Sequence, residues 1–443
     1  MTDAHALTTS SPHTALRTAV RGRVWLPGDD GFDEARLPWN RAVDQPAAAV
    51  VEAADADDVA ALVRYAAVRG ATVATQPNGH GATGRTRDAI VLRTGRLDSI
   101  TVDPAARRAL IGAGVRSGAL QAAAAEHGLT ALPGSSPVVS VTGVVLGGGL
   151  SWFGRAFGWV ADSVTAFDVI DAQGRPGHVT SASDPELFWA LRGGGGDYAV
   201  VTALEIALHP APEAYGGRVL WAGEHTAAVV DAYRALTADA PDELTAWLSL
   251  AQLPGADPVV AVDVAYLGGE LQGRALLAAL DALPAPIADT RQPLSVAELG
   301  SVTGDPTEPA AGLSRTELLT ALDDDAVRTL LGKPLAPLVG VQVRHLGGAL
   351  ARPSDSPHGP LTEPYAVYLF GLPLGPDVAA AVAARQAELA AELPTSGRKP
   401  VTFLAPHESL ADALGAASLE RLRALKADRD PRGVLRSNFP VHG

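Results

Sequence analysis

The stretch Gln76-Pro77-Asn78-Gly79-His80-Gly81-Ala82-Thr83-Gly84 sets an imidazole between two glycines, directly after a strand predicted at residues 71–75. Glycine lets the backbone approach a ligand closely and adopt conformations closed to other residues. The pattern therefore predicts that His80 contacts a ligand. A lone loop histidine is more often one that hydrogen-bonds to solvent, so this interpretation depends on the rest of the chain.

Two further glycine clusters follow. The first is Gly134-Ser135-Ser136-Pro137 with the run Val141-Thr142-Gly143-Val144-Val145-Leu146-Gly147-Gly148-Gly149-Leu150, and the second is Leu191-Arg192-Gly193-Gly194-Gly195-Gly196-Asp197. Runs of small residues expose backbone N–H groups that bind phosphate without obstruction by side chains. The loops at residues 78–84 and 141–149 fit the binding of a pyrophosphate, although a lone Gly-Gly-Gly is more often a turn or bulge. A Rossmann site is disfavoured because the triple glycine lacks the G-x-G-x-x-G spacing.

Three such clusters in this order, with His80 in the first, resemble the FAD-linked oxidoreductases of the vanillyl-alcohol-oxidase superfamily, which share a PCMH-type FAD-binding domain, and among them the berberine-bridge-enzyme-like group. The resemblance runs from about Trp39 to Asn438 and is densest between Val73 and Pro210. It implies that the protein binds FAD, covalently attached through His80. Relatives with a second covalent bond use a cysteine where this chain has Ser136, and a hydroxyl is a far weaker nucleophile than a thiol.

The same resemblance implies which residues surround the flavin. Besides His80, the implied cofactor-binding residues are Asn78, Gly79, Gly81, Ala82, Gly84, Ser136, Val139, Thr142, Gly143, Gly148, Asp197, Val201 and Asn438. Val139 stands where the family places the side chain that controls oxygen access, and a valine there is similar to the oxidase members. The plainer interpretation is a β-branched residue packed in a loop. Asp430-Pro431 followed by Asn438 matches the family's tail and implies that the C-terminus returns to the first domain.

The substrate side is expected on strands of a second domain, because alternate strand residues share one face of a sheet. Four side chains are the candidate catalytic residues: Tyr368, Arg344, Gln342 and Trp247. His345 has an imidazole suited to proton transfer, but it lies on the other face of a predicted strand at 339–346, where a core role is more common. Some family members carry a tyrosine or glutamate base before the tail, and residues 400–404 offer none.

The order of elements predicts an α+β fold: a two-subdomain PCMH-type FAD-binding domain plus a substrate domain with an antiparallel sheet flanked by helices. The predicted boundaries are an N-terminal extension at 1–38, the FAD-binding domain at 39–210, the substrate-binding domain at 211–400 and a returning C-terminal segment at 401–443. Ser117 is predicted to cap a helix that ends near Gly128. A hairpin is predicted at 243–267, and helices at 272–283, 308–331 and 416–429.

Composition narrows the class of partner. The chain has 443 residues, a formal charge of -14 and no cysteine. The negative charge disfavours nucleic acid and anionic membranes, and the lack of thiols excludes disulfides and thiolate metal sites. No apolar run of signal-peptide or membrane-spanning length occurs. We expect a cytoplasmic monomer or homodimer without a metal site, and the high Ala, Gly, Pro and Arg content hints at a bacterial source.

The resemblance implies an FAD-dependent oxidase of a small organic or secondary-metabolite substrate, with hydride transfer to flavin N5 and reoxidation by O2 to hydrogen peroxide. Two alternatives stay open: a dehydrogenase that uses another acceptor, and a flavoprotein that catalyses redox-neutral cyclisation or only sequesters a ligand. A hydrolase or simple binding module is a third interpretation. It lacks a nucleophile, because no Gly-x-Ser-x-Gly motif is present.

Overall fold

The structure is a computed structural model that describes residues 12–442. In chain order its strands are β1 (Arg23–Trp25), β2 (Ala49–Glu52), β3 (Thr72–Thr75), β4 (Ala89–Arg93), β5 (Ile100–Asp103), β6 (Arg108–Gly112), β7 (Leu129–Thr130), β8 (Val164–Ile170), β9 (Pro176–Val179), β10 (Val200–Ala207), β11 (His209–Pro210), β12 (Ala214–Ala222), β13 (Leu244–Ala251), β14 (Val259–Tyr266), β15 (Ala288–Asp289), β16 (Gln292–Leu294), β17 (Leu313–Leu319), β18 (Gly340–His345), β19 (Tyr365–Gly371) and β20 (Leu435–Arg436).

The helices are α1 (Pro12–Ala19), α2 (Phe32–Arg36), α3 (Ala56–Arg69), α4 (Ser117–Ala125), α5 (Val141–Leu146), α6 (Gly154–Phe157), α7 (Pro185–Leu191), α8 (Thr226–Ala238), α9 (Glu270–Leu276), α10 (Ala278–Asp281), α11 (Asp324–Leu331), α12 (Pro376–Glu392) and α13 (Ala416–Arg429). Within the described range, none of them is both long and apolar enough to cross a membrane.

The first sheet has the order β1-β2-β4-β3-β20 and is parallel except for the β1–β2 pair. Helix α3 begins at a capping residue, since the Asp55 carboxylate accepts a hydrogen bond from the Asp58 N–H at 3.1 Å. Its apolar face packs on the sheet through Leu62 and Val63, which are fully buried. This packing holds strand β3 in place, and the His80 loop begins at the C-terminal end of that strand.

A second sheet, wholly antiparallel, has the order β5-β6-β10-β8-β9. Its core includes Phe167 and Leu204, and α4, α7 and α13 contribute apolar side chains to the same cluster. The glycine-rich segments after α5 and α7 lie beside this core. The two sheets and the C-terminal segment together form the frame of the candidate site.

The third sheet is antiparallel, with the order β15-β12-β14-β13-β18-β19-β17 and β16 paired to β12. Helices α8, α11 and α12 pack on one face, where Tyr233, Val382 and Leu389 join the buried strand residues. The other face is turned to the glycine-rich segments and carries polar and aromatic side chains. The α+β fold with an antiparallel sheet flanked by helices is therefore confirmed.

Several predicted elements need correction. The helix predicted at 308–331 contains strand β17 followed by α11, because residues 313–319 pair with β19 along seven positions and the Asp323 side chain then caps a new helix. The helix predicted at 272–283 is divided into α9 and α10. Ser117 is inside α4 rather than at its cap. No pattern predicted β12, α8 or α12.

Candidate functional site

A cavity of about 1150 Å³, including space open to solvent at its mouth, lies between the first two sheets and the C-terminal segment. Nine residues of the predicted cofactor set line it: Asn78, Gly79, His80, Gly81, Val139, Thr142, Gly143, Val201 and Asn438. Residues from four distant stretches of the chain therefore meet around one space.

The His80 loop has a backbone that only glycine supports at one position. Gly79 has φ +79°, and a Cβ there would approach Pro38 atoms to 2.7 and 2.9 Å. This close approach places Trp39 over the loop, and the backbone N–H of Trp39 donates to the Asn78 carbonyl at 2.9 Å. The Trp39 indole stacks on the His80 ring at 4.3 Å between centroids and 14° between planes.

Burial determines the protonation state of His80. Burial, with a smaller contribution from the positive charge of Arg116, lowers the pKa of His80 to about 4. Neither ring nitrogen has a hydrogen-bond partner among residues 12–442. At neutral pH the ring is therefore uncharged, with a lone pair that a bound molecule can meet.

The opposite wall is built by the second glycine cluster, part of which is a helix rather than a loop. Residues 141–146 form α5, whose cap Ser140 accepts from the Gly143 N–H at 3.4 Å. Asn78 joins the two walls because its side-chain amide donates to the Val138 carbonyl at 3.0 Å. A side chain on Gly147 would crowd Thr402, since a Cβ would lie 3.0 Å from the Thr402 Cα.

The C-terminal segment closes the cavity. Asp430 is 3% exposed, and its carboxylate accepts from the Lys426 ammonium at 2.7 Å and from the Leu435 N–H at 2.8 Å. This turns the chain so that β20 pairs with β3. The side-chain amide of Gln76 then donates to the Asn438 side-chain oxygen at 2.9 Å. The return of the tail to the first domain, implied by the family resemblance, is present.

Five residues of the predicted cofactor set lie outside the cavity lining: Ala82, Gly84, Ser136, Gly148 and Asp197. The Asp197 carboxylate accepts from the Ser437 N–H at 2.6 Å and the Val441 N–H at 2.7 Å. It therefore fixes the C-terminal segment from a position outside the cavity lining. A Cβ on Gly148 would lie 3.3 Å from His358. The Ser136 hydroxyl is buried and makes no hydrogen bond within the described part of the chain.

The four candidate catalytic residues lie together on the face of the third sheet that helices α8, α11 and α12 do not cover. The Arg344 guanidinium lies 4.1 Å from the Trp247 ring centroid and 5.5 Å from that of Tyr368. Its Nε donates to the Gln342 side-chain oxygen at 2.6 Å. Phe403, which no motif indicated, covers the same guanidinium at 4.9 Å. The residues on either side of it, Thr402 and Leu404, line the cavity.

His345 lies on the other face of β18, in the core. Its Nε2 is 3.0 Å from Arg155 Nη1, so it accepts from that guanidinium. Burial, reinforced by the charge of Arg155, lowers the pKa of His345 to about 3. The ring is a neutral packing residue, as the more common role of such a histidine suggested. Sequence reasoning missed Trp39 and Phe403, because an isolated aromatic residue far from a motif carries no signal.

The cavity fits the FAD that the resemblance implies. Backbone atoms and small residues line it where a nucleotide's phosphates need close approach. Several polar side-chain atoms along its walls are sealed from solvent without a partner in residues 12–442, namely both nitrogens of His80 and the hydroxyls of Thr142 and Ser437. Buried polar groups are normally hydrogen-bonded. A polar ligand that lies along these walls satisfies them.

Comparison with known proteins agrees with this geometry. Residues 47–180 match the family model described as an FAD binding domain. The chain is 34% identical to (R)-6-hydroxynicotine oxidase of Paenarthrobacter nicotinovorans over 268 residues, 58% of each chain. It is 31% identical to the FAD-linked oxidoreductase pynB of Aspergillus niger over 49% of this chain and 42% of that protein. The match thus spans about half the length of these curated relatives.

Solved structures establish the fold. The 6-hydroxy-D-nicotine oxidase structure from Arthrobacter nicotinovorans superposes with a TM-score of 0.81 at 24% identity, over 94% of this chain and 97% of that one. The wild-type BBE-like 1 protein of Physcomitrella patens superposes with a TM-score of 0.84 at 18% identity, over 98% and 99%. Nearly the whole chain, with both the cavity and the third sheet, therefore has this architecture.

Proposed function

Because the chain belongs to the FAD-linked oxidoreductases of the vanillyl-alcohol-oxidase superfamily, in the berberine-bridge-enzyme-like group, we propose that it is an FAD-dependent oxidase of a small organic or secondary-metabolite substrate. FAD, when bound, supplies a two-electron acceptor that takes a hydride from a substrate carbon and passes the electrons to O2, which gives hydrogen peroxide. The oxidase named among its relatives supports this choice over a dehydrogenase.

The observation that carries the proposal is the state of His80. A neutral imidazole with two unpartnered nitrogens, stacked on Trp39 at the cavity wall, has the properties required of a covalent attachment point. We infer that His80 holds FAD through one covalent bond. Ser136 lies outside the cavity lining and has a hydroxyl in place of a thiol, which argues against a second bond.

The third sheet supplies the substrate side. Arg344, Tyr368 and Trp247 form a packed surface there. No residue at 400–404 offers a carboxylate or phenol that would remove a proton, and burial raises the pKa of the Tyr368 phenol, which therefore stays protonated at neutral pH. The chain's own contribution is therefore to bind and orient the substrate and to exclude water, as expected when the reacting carbon already releases hydride readily.

The test is an anaerobic substrate screen followed by exposure to air. A substrate should bleach the flavin absorbance without oxygen, and air should restore the absorbance with one hydrogen peroxide per turnover. Colour that returns only with a quinone acceptor identifies a dehydrogenase. A substrate converted with no bleaching at any time points to redox-neutral chemistry, and a colourless purified protein contradicts the proposal.

A further inference from the structure

Arg344 differs from every other buried cation in residues 12–442. Its side chain is 8% exposed, and only its Nε–H has an acceptor, the Gln342 oxygen at 2.6 Å. Its terminal nitrogens, Nη1 and Nη2, hydrogen-bond to nothing in the described residues, and no carboxylate lies within 4.0 Å of them. The other buried cations all have carboxylate or carbonyl acceptors: Arg155, Arg192, Arg385, Lys399 and Lys426.

The hydrogen-bonded network behind Arg344 leaves its charge uncompensated. The Gln342 amide donates to the Ser249 hydroxyl at 3.2 Å, and that hydroxyl donates to Asp263 at 2.9 Å. Asp263 is in turn neutralised by Arg218 at 2.6 Å. This network fixes the Gln342 oxygen toward Arg344 but supplies no net negative charge. Asp305 acts on Arg344 only from beyond ion-pair distance.

The terminal nitrogens face an accessible space. Neither nitrogen has a hydrogen-bond partner, and neither is among the polar atoms that are buried from solvent without such a partner. Each nitrogen therefore stays in contact with solvent-accessible space. Aromatic rings border that space: Trp247, Tyr368 and Phe403. Phe403 lies between two residues that line the FAD cavity, so the space is one side chain away from it. Donors that face such a space bind water in the free protein and are available to a ligand that displaces this water.

We propose, building on the function proposed above, that Arg344 is a specificity-determining residue that binds a carboxylate of the substrate, with an aromatic or conjugated body against the neighbouring rings. A guanidinium presents two parallel N–H groups that match a carboxylate, and stacking on aromatic faces holds it in place. The same charge repels a cationic amine at this position. The substrate class is therefore an aryl or conjugated carboxylic acid.

The experiment measures binding by calorimetry on the purified holoenzyme at fixed ionic strength. The probes are three acids and their neutral amides: acetate and acetamide, benzoate and benzamide, and indole-3-acetate and indole-3-acetamide. We expect at least one aromatic acid to bind about tenfold more tightly than its amide. Arg344→Met should abolish that preference, and Arg344→Lys should keep part of it. Arg352→Met, at an exposed arginine of the same domain, is the control and should change nothing.

The proposal is overturned if no acid is preferred to its amide, or if Arg344→Met keeps the preference of the wild-type protein. Circular dichroism and the flavin spectrum of each variant establish that it is folded and loaded. The readout requires neither turnover nor oxygen. A protein that prefers acids but contains no flavin would contradict the proposed function alone, and a flavin-loaded protein without the preference would contradict this inference alone.

Discussion

At the scale of single residues, His80 is the position from which most of the chemistry follows. A neutral ring with free nitrogens is available for a bond, whereas an alanine offers none. Wild-type protein precipitated with acid should keep its flavin in the pellet, and His80→Ala should release all of it to the supernatant. His178→Ala, at an exposed histidine, serves as control and should retain the flavin.

The number of covalent bonds is a separate residue-scale prediction. Tryptic digestion should give one flavin-bearing peptide, which contains His80, because the Ser136 hydroxyl is a poor nucleophile. Absorbance at flavin wavelengths together with peptide masses checks this. A flavin found on the peptide that contains Ser136 would refute the single-bond assignment.

Val139 lines the cavity and is predicted to border the path of oxygen. Val139→Leu adds one methylene to the wall and should slow reoxidation of the reduced enzyme by about tenfold, which corresponds to ~1.4 kcal/mol. Substrate reduction should change little. Stopped-flow measurement separates the two half-reactions, and Val139→Ala, which enlarges the space, should not slow either. If leucine leaves reoxidation unaltered, Val139 is an ordinary packing residue.

Motifs in the sequence indicated which residues would lie together, while their role at the cofactor stays a prediction. Nine members of the predicted cofactor set line one cavity, because glycine patterns report directly on close backbone approach. Trp39, which stacks on His80, carried no such signal, since its role depends on the fold that brings it there. Asp197 was expected at the cofactor and instead holds the tail by accepting from two backbone N–H groups.

At the scale of elements, the turn after α13 depends on one buried ion pair. Lys426 and Asp430 have side chains that are 8% and 1% exposed and lie 2.7 Å apart. Asp430→Asn leaves the ammonium without its counter-charge and should lower the free energy of unfolding by about 3 kcal/mol. Urea denaturation measures the loss. The control is Asp428→Asn on the same helix, where the side chain is 77% exposed and the effect should be small.

Elements with strong local signals were predicted and those set by distant pairing were not. Helix α13 and the β13–β14 hairpin lie where they were predicted, at residues 416–429 and 243–267. Residues 313–319 form a strand because β19 supplies hydrogen-bond partners along their length, and no local pattern specifies that partner. The proposed domain boundaries stay predictions.

At the scale of the whole molecule, buried histidines make stability depend on pH. Burial and a nearby arginine lower the pKa of His345 and of His358 to about 3. A histidine in the unfolded chain has a pKa near 6.5. Below that pH the unfolded chain therefore binds protons that the folded chain does not bind. The stabilisation is complete above pH 6.5 and is lost as pH falls toward 3.

Urea denaturation at pH 7.5 and pH 5 tests this. Each histidine should reduce the free energy of unfolding by about 2 kcal/mol at pH 5 relative to pH 6.5 and above. The double variant His345→Gln and His358→Gln, which keeps an uncharged acceptor at each place, should lose that part of the dependence. His178→Gln, at the surface, should behave as the wild type. Equal slopes for all three proteins would show that carboxylates alone cause the acid sensitivity.

The contact between Gln76 and Asn438 joins positions 362 residues apart in the chain. A ribosome that adds about 5–20 residues per second makes the second partner roughly 20–70 s after the first. The first sheet's last strand and one wall of the cavity therefore form only after residues 435–438 have been made. A cavity whose walls are made so far apart in time can close on a ligand only after β20 has paired with β3.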